Sequence, residues 1–253
     1  MNYPEDFINK IICGDCLEVM PDIPDKSIDM ILCDLPYGDV FSKWDLPLDL
    51  LWRQYSRIIK DNRAVVLIAT QPFCSVLVMG NLEWFKYNWV WDKVRGVGHL
   101  KAKKQPMMAT EDILIFGRGF VQYNPQMRIR DKPRKSQNTG VTKYYKGTGI
   151  PFEGKILNER YPINLIQFSK SSQNDLILHP NQKPVALFEY LILTYTNESD
   201  LVLDNCAGSG TTGVACKNLK RNYILIEKEE KYCEIAENRL KAIPESLFKE
   251  ITV

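Results

Sequence analysis

Histidine is nearly missing from this chain, with only His99 and His179 among its 253 residues. A zinc set therefore has little to draw on. Cys13-Gly14-Asp15-Cys16 is a CxxC, but no second one follows, so its thiols read as ordinary ones flanking a functional Asp15, and no metal is expected. Long apolar runs are missing too, since none reaches the roughly 18 residues of a membrane span. The opening Met1-Asn2-Tyr3-Pro4-Glu5-Asp6 is acidic and lacks the basic, then apolar order of a signal peptide. Seven cysteines without an export signal point to a reducing, cytoplasmic setting rather than a disulfide framework. Net charge is almost absent at +2, so the total says little about partners. No internal repeat is present.

What the chain does have is a core. With 45% hydrophobic residues it can bury one substantial interior, with room for an insertion. Strand-like runs fall at 7–13, 28–34, 64–69, 88–91, 112–116, 201–204 and 223–227, and helical patterns at 46–59, 185–196, 212–219 and 231–240. Several of the strands are near-continuously apolar, as parallel strands covered on both faces are. Alternation of the two types predicts one α/β domain with a doubly wound, mostly parallel sheet. Tyr87-Asn88-Trp89-Val90-Trp91 alternates like a strand and reads as core rather than a base-stacking platform. Residues 119–172 break the pattern, show no sustained period and form the natural candidate for a substrate-reading insertion.

Charge is unevenly spread. Lys93, Arg95, Lys101, Lys103 and Lys104 come with no acid among them. A second run holds Arg128, Arg130, Lys132, Arg134, Lys135, Lys143, Lys146 and Lys155 against Asp131 and Glu153, with Tyr144, Tyr145 and Phe152 interleaved. Such stretches suit a phosphate backbone and stackable bases. A solvated surface also explains them, so the case for nucleic acid rests on the catalytic motifs.

Two strand ends carry chemistry. Ile28-Asp29-Met30-Ile31-Leu32-Cys33 delivers Asp34-Leu35-Pro36-Tyr37-Gly38, and Leu201-Val202-Leu203-Asp204 delivers Asn205-Cys206-Ala207-Gly208-Ser209-Gly210-Thr211-Thr212-Gly213. Ligands of open α/β sheets bind at the carboxyl ends of strands, so both loops can face one crevice. Gly208 to Gly213 also matches a dinucleotide fingerprint, with Glu227 near the position of a ribose-gripping acid, which keeps an NAD-dependent oxidoreductase open. Two facts weigh against it. The chain ends at Val253, too soon after Gly213 for the remaining βαβ units, so the sheet must be completed from earlier residues in a permuted order. Asp204 would repel a pyrophosphate but suits a cationic ligand. S-adenosylmethionine has a ribose for Glu227, a sulfonium and an amino group, and lacks phosphate, while the glycines would let the backbone approach it.

The Asp34 loop suits transfer to a ring amine. The amine's lone pair is delocalised, and two acceptors on its hydrogens, the Asp34 carboxylate and the Pro36 carbonyl, would favour a tetrahedral nitrogen. Proline has a fixed φ and no N–H, which helps aim that carbonyl outward. Tyr37 can stack on the base, a contact worth about 1–3 kcal/mol. A base inside a duplex must be flipped out to reach such a pocket.

These residues resemble the DNA amino-methyltransferases that act on N6 of adenine or N4 of cytosine. Asp34-Leu35-Pro36-Tyr37 is similar to the family's Asp-Pro-Pro-Tyr catalytic motif, and Asp204 to Thr211 to its Asp-Pro-Phe-Ala-Gly-Ser-Gly-Thr cofactor loop. His179-Pro180-Asn181-Gln182-Lys183-Pro184 resembles His-Pro-x-Gln-Lys-Pro, and Gly14-Asp15 a cofactor-contacting Gly-Asp. Catalytic motif first and cofactor loop last is the order of the beta group. Asn205 and Cys206 depart from Pro-Phe, and Leu35 from the first proline.

The resemblance implies a Rossmann-like, S-adenosylmethionine-dependent fold and methyl transfer to the N6 amine of adenine in DNA, aspartate at position 34 favouring adenine because the cytosine enzymes mostly carry serine there. N4 of cytosine is the alternative, and a non-catalytic DNA-binding module the reading of another class. Asp34, Pro36 and Tyr37 are the expected catalytic residues. Asp15, Lys183, Asp204, Ala207, Gly208, Ser209, Gly210, Thr211, Thr212 and Glu227 are the expected cofactor residues, with Lys183 reaching the cofactor carboxylate and His179 opening the following helix. Arg128, Arg130, Lys132, Arg134, Lys135, Lys143 and Lys146 are the expected DNA contacts, within 119–172. Homodimerisation and a cognate restriction endonuclease are further expectations of the resemblance.

Overall fold

The computed structural model describes residues 2–36, 47–135, 156–169 and 182–243. Its main sheet begins with β1 (Lys10–Cys13), β2 (Ile28–Asp34), β3 (Ile59–Ala69), β4 (Phe85–Val97) and β5 (Met108–Phe116). It is completed by β8 (Leu165–Gln167), β9 (Leu201–Asp204) and β10 (Asn222–Glu227), in the order β1-β10-β9-β2-β3-β5-β4-β8. Every described pairing within this sheet is parallel except those of β5 with β3 and β4. Strands from the two ends of the chain interleave, because β9 and β10 sit between β1 and β2. The sheet is thus completed in a permuted order.

Side-chain alternation along β2 and β3 builds two cores. Ile31, Cys33, Val65 and Leu67 point to one face, against α1 (Cys16–Val19), α2 (Leu48–Ile58) and α3 (Phe73–Gly80). Met30, Leu32, Val66 and Ile68 point to the other, against α4 (Val185–Tyr195), α5 (Thr211–Asn218) and α6 (Glu230–Lys241). Leu51, Trp52, Tyr55 and Ile58 form the buried stripe of α2 at helical spacing. Trp89 and Trp91 are buried, as expected of a core strand.

Several elements differ from expectation. Only residues 10–13 of the first run pair as a strand, since Asn9 takes a positive φ of 60° that breaks the extension. β3, β4 and β5 run well past their apolar centres into polar residues, because a ladder needs backbone groups and not apolar side chains. Helix α3 was hidden by its composition, an almost wholly apolar stretch whose polar face is one serine.

The chain divides into two compact units, residues 1–124 with 164–253, and residues 125–163. The second lies within the expected insertion 119–172. It contains a two-stranded antiparallel sheet of β6 (Arg128–Lys135) and β7 (Ile156–Arg160), whose mostly exposed polar residues carry no apolar period to reveal it. No described helix is long and apolar enough to cross a membrane.

Candidate active site

Four adjacent parallel strands of the main sheet bring an acid to its carboxyl edge. β10 ends at Glu227, β9 at Asp204 and β2 at Asp34, while Asp15 follows β1 by two residues. Ile31 pairs with Leu203, so β2 carries Asp34 two residues beyond the level of Asp204, about 7 Å at the rise of an extended strand. These carboxylates line one cavity of about 500 Å³ together with Gly14, Pro36, Ala207, Gly208, Ser209 and Thr211. That volume suits a small-molecule ligand.

Each acid is held differently. Asp15 caps α1, accepting the Leu17 N–H at 2.9 Å, and faces Lys228 at 3.4 Å across a largely exposed gap. Glu227 accepts the N–H groups of Gly208 at 2.7 Å and Glu229 at 2.9 Å, which ties the glycine loop to β10. Asp204 is buried, accepts the Cys206 N–H at 3.1 Å and receives the Thr212 hydroxyl. Burial pushes its carboxyl up to about 7, while those hydrogen bonds pull the other way.

Asp34 and Lys183 form an ion pair at 2.6 Å, and the same ammonium lies 3.3 Å from Glu111 on β5. Burial alone would lower the Lys183 ammonium, but the two carboxylates outweigh it and hold it above the usual lysine value. With 6% exposure, Lys183 is no solvated lysine. Glu111 in turn meets Lys93 at 3.2 Å. Lys93 belonged to a run that reads as surface charge, yet it is 2% exposed. Arg95, Lys101, Lys103 and Lys104 of that run are exposed.

Residues of the glycine loop differ in their surroundings. Gly208, at φ +52°, has open space where a Cβ would stand, as a ligand-facing glycine should. Gly210, at φ +77°, instead faces α6, where a Cβ would lie 2.7 Å from the Cβ of Ala236. Its smallness serves helix packing. Thr212 does not line the cavity, and its hydroxyl donates to Asp204. Ser209 is fixed by Arg239 of α6, which donates to its carbonyl at 2.6 Å.

The replacements in the cofactor loop have partners. Asn205 is buried and accepts the Tyr55 hydroxyl, while its amide donates to the sulfurs of Cys16 and Cys206 at 3.6 Å. Cys33, beneath them, is pushed up to about 12 by burial, so it stays a thiol. Leu35 is buried in the core and leaves Pro36 exposed at the cavity. Tyr232 and Phe188 add aromatic side chains to the cavity lining. Glu111, Lys93, Tyr232 and Phe188 escaped sequence reasoning because each lies mid-element, outside any turn motif.

Arg128, Arg130, Lys132, Arg134 and Lys135 all fall on β6, where Arg130 donates to the Glu159 carbonyl at 2.9 Å. Tyr37, Lys143, Lys146 and His179 lie outside the described residues. Among the described residues no group of three metal-ligating side chains is close enough to share an ion.

An acidic rim, an open glycine and a phosphate-repelling cavity fit a cationic adenosyl ligand, and the fold with this site defines an S-adenosylmethionine-dependent methyltransferase. The DNA methylase family of N6/N4 methyltransferases matches residues 28–238, and the chain belongs to it. It is 30% identical to the Type II methyltransferase M.HinfI of Haemophilus influenzae, over 94% of this chain and 70% of that protein. It is 27% identical to M.HpaI of Haemophilus parainfluenzae, over 91% and 74%. The crystal structure of the M1.HpyAVI–S-adenosylmethionine complex superimposes with a TM-score of 0.64 at 26% identity, covering 91% of this chain and 98% of that one. The cytosine-N4-specific PvuII DNA methyltransferase shares the fold, with a TM-score of 0.69 at 18% identity over 93% and 88%. S-adenosylmethionine is the cofactor of this chain, and the dinucleotide reading is set aside.

Proposed function

We propose that this chain methylates the N6 amine of adenine in DNA. The observation that carries the reading is Asp34. A carboxylate stands at the end of β2, beside the cofactor loop, and by the family resemblance this is the position where the cytosine enzymes mostly carry serine. The Type II relatives make modification within a restriction system the natural setting.

Asp15, Asp204, Ala207, Gly208, Ser209, Thr211 and Glu227 would hold the cofactor. Bound there, S-adenosylmethionine supplies an electrophilic methyl group on a positive sulfur. Asp34 and the Pro36 carbonyl accept the two hydrogens of the target amine, which keeps its nitrogen lone pair available for attack. Tyr37 stacks on the flipped base. Positioning and preorganised acceptors suffice because the electrophile is already activated. The basic residues of β6, with Lys143 and Lys146, bind the DNA backbone from the segment 119–172, which reads the target sequence. Arg95 near the end of β4, with Lys101, Lys103 and Lys104 on the connection from β4 to β5, adds a second cationic stretch.

Transfer from labelled S-adenosylmethionine to genomic DNA, followed by nucleoside analysis, tests this. N6-methyladenine is the expected product. N4-methylcytosine would overturn the base assignment and keep the mechanism. Cofactor binding without incorporation into DNA of varied sequence would overturn the substrate.

A further inference from the structure

Behind Asp34 the charges alternate inward. Asp34 meets Lys183, Lys183 meets Glu111, and Glu111 meets Lys93, each within 3.3 Å. The four residues come from β2, the segment before α4, β5 and β4. The last three members are nearly sealed from water. A buried row of this kind adds little stability over apolar side chains of similar volume, since desolvation consumes most of the attraction. Lys183 and Glu111 also line the cavity, but Asp34, 22% exposed against their 6% and 8%, is the member most open to it, and the row's effect falls there.

Resting on the reading of Asp34 as the amine acceptor, we propose that Lys183, Glu111 and Lys93 are positioning residues for Asp34. Lys183 serves the carboxylate rather than the methyl donor, and Glu111, anchored by Lys93, sets how much of that positive charge Asp34 receives.

The surroundings of Asp34 explain why it needs a counter-ion. Asp204 of β9 and the Cys33 thiol on β2 both feel its charge, and Glu111 of β5 lies just beyond Lys183. The Glu111 carboxylate and, where it is ionised, Asp204 disfavour another negative charge nearby, whereas the Cys33 thiol is neutral. The Lys183 ammonium opposes them and keeps Asp34 ionised. Its whole charge would also weaken Asp34 as an acceptor, and Glu111 takes a share.

Three measurements separate this from a cofactor clamp: affinity for S-adenosylmethionine, single-turnover transfer to DNA, and the pH at which transfer fails on the acid side. Lys183→Met should keep affinity within about threefold, slow transfer about 100-fold and move the acid limb up by about one pH unit, because Asp34 loses its cation. Lys183→Arg should return the limb towards that of the unaltered enzyme. The pair Glu111→Gln with Lys93→Met removes one buried charge of each sign, so it avoids an orphan, and should move the limb down instead. Opposite displacements cannot come from loosened packing.

Loss of affinity by about tenfold or more in Lys183→Met, with the limb unmoved, would make Lys183 a cofactor residue and overturn the inference. Equal slowing in both variants with no displacement would reduce the row to scaffolding and also overturn it. Circular dichroism checks folding, and a Lys183→Met that unfolds passes the decision to the double variant and Lys183→Arg. The unaltered enzyme comes first: its failure to methylate DNA would sink the proposed function and this inference with it, whereas the variant outcomes above overturn the inference alone.

Discussion

Asp34 and Asp204 are carboxylates near the carboxyl ends of neighbouring strands, and their surroundings give them different duties. Asp34 lies beside a cation and reaches the cavity, so Asp34→Ala should cut transfer by about a thousandfold while leaving S-adenosylmethionine affinity within about threefold, read by single turnover and calorimetry. Loss of both together would make Asp34 a cofactor residue. Asp204 is sealed and raised to about 7 from 3.8. A carboxyl raised in the fold contributes stability that is complete below pH 3.8 and lost as pH climbs through 7. The same ionisation creates the negative charge that a sulfonium ligand prefers. Between pH 5 and 7 the melting temperature should therefore fall while affinity for S-adenosylmethionine rises by up to about tenfold per unit, and Asp204→Asn should flatten both. Both acids were legible from sequence, because each interrupts an apolar run at a turn. Lys93 and Glu111 were not, since a lysine in a basic run looks solvated until burial pairs it.

Within the glycine loop, two positions of the same residue type do different work. Gly210→Ala should destabilise the fold by about 2–3 kcal/mol, because the new Cβ meets Ala236 and the backbone stays left-handed. Gly208→Ala meets nothing, so it should cost only about 1 kcal/mol and lose cofactor affinity instead. Urea melts and calorimetry on the pair would show whether one glycine serves packing and the other the ligand. The sequence marks both identically, as the fingerprint says only that small residues are needed. The β4–β5 connection carries a second element-level expectation. Reversing Lys101, Lys103 and Lys104 to glutamate should weaken DNA binding and lower its salt slope by about 2–3, read from binding isotherms at several salt concentrations. An unchanged slope would remove this connection from the DNA surface. Strand cores were legible from their apolar runs, whereas the ends of β4 and β5, the β6–β7 pair and helix α3 were not, since backbone pairing and an all-apolar helix leave no period to read.

For the molecule as a whole, the seam between the two ends of the chain is the decisive contact. Asp29 on β2 is 5% exposed, accepts the Leu201 N–H of β9 at 3.0 Å, and is paired with Lys60 at 2.8 Å and Arg63 at 3.0 Å. Arg63 also holds Asp200 at 2.8 Å, so one cluster fastens β9 to β2 and β3. Asp29→Ala should cost about 3 kcal/mol in urea denaturation, because it leaves the buried Leu201 N–H without its acceptor and removes the carboxylate that Lys60 and Arg63 share. A loss below about 1 kcal/mol would show that apolar pairing alone closes the seam. The sequence by itself determined the composition of the strands, their parallel habit and the polar loops at their ends, since burial on both faces and abrupt turns are local properties of residues. Only the tertiary structure decided that β9 and β10 enter between β1 and β2, that Gly210 faces a helix, and that Lys183 reaches Asp34. Those contacts join residues far apart in the chain, and their partners are set by which strands pair and which charges must be neutralised once water is gone.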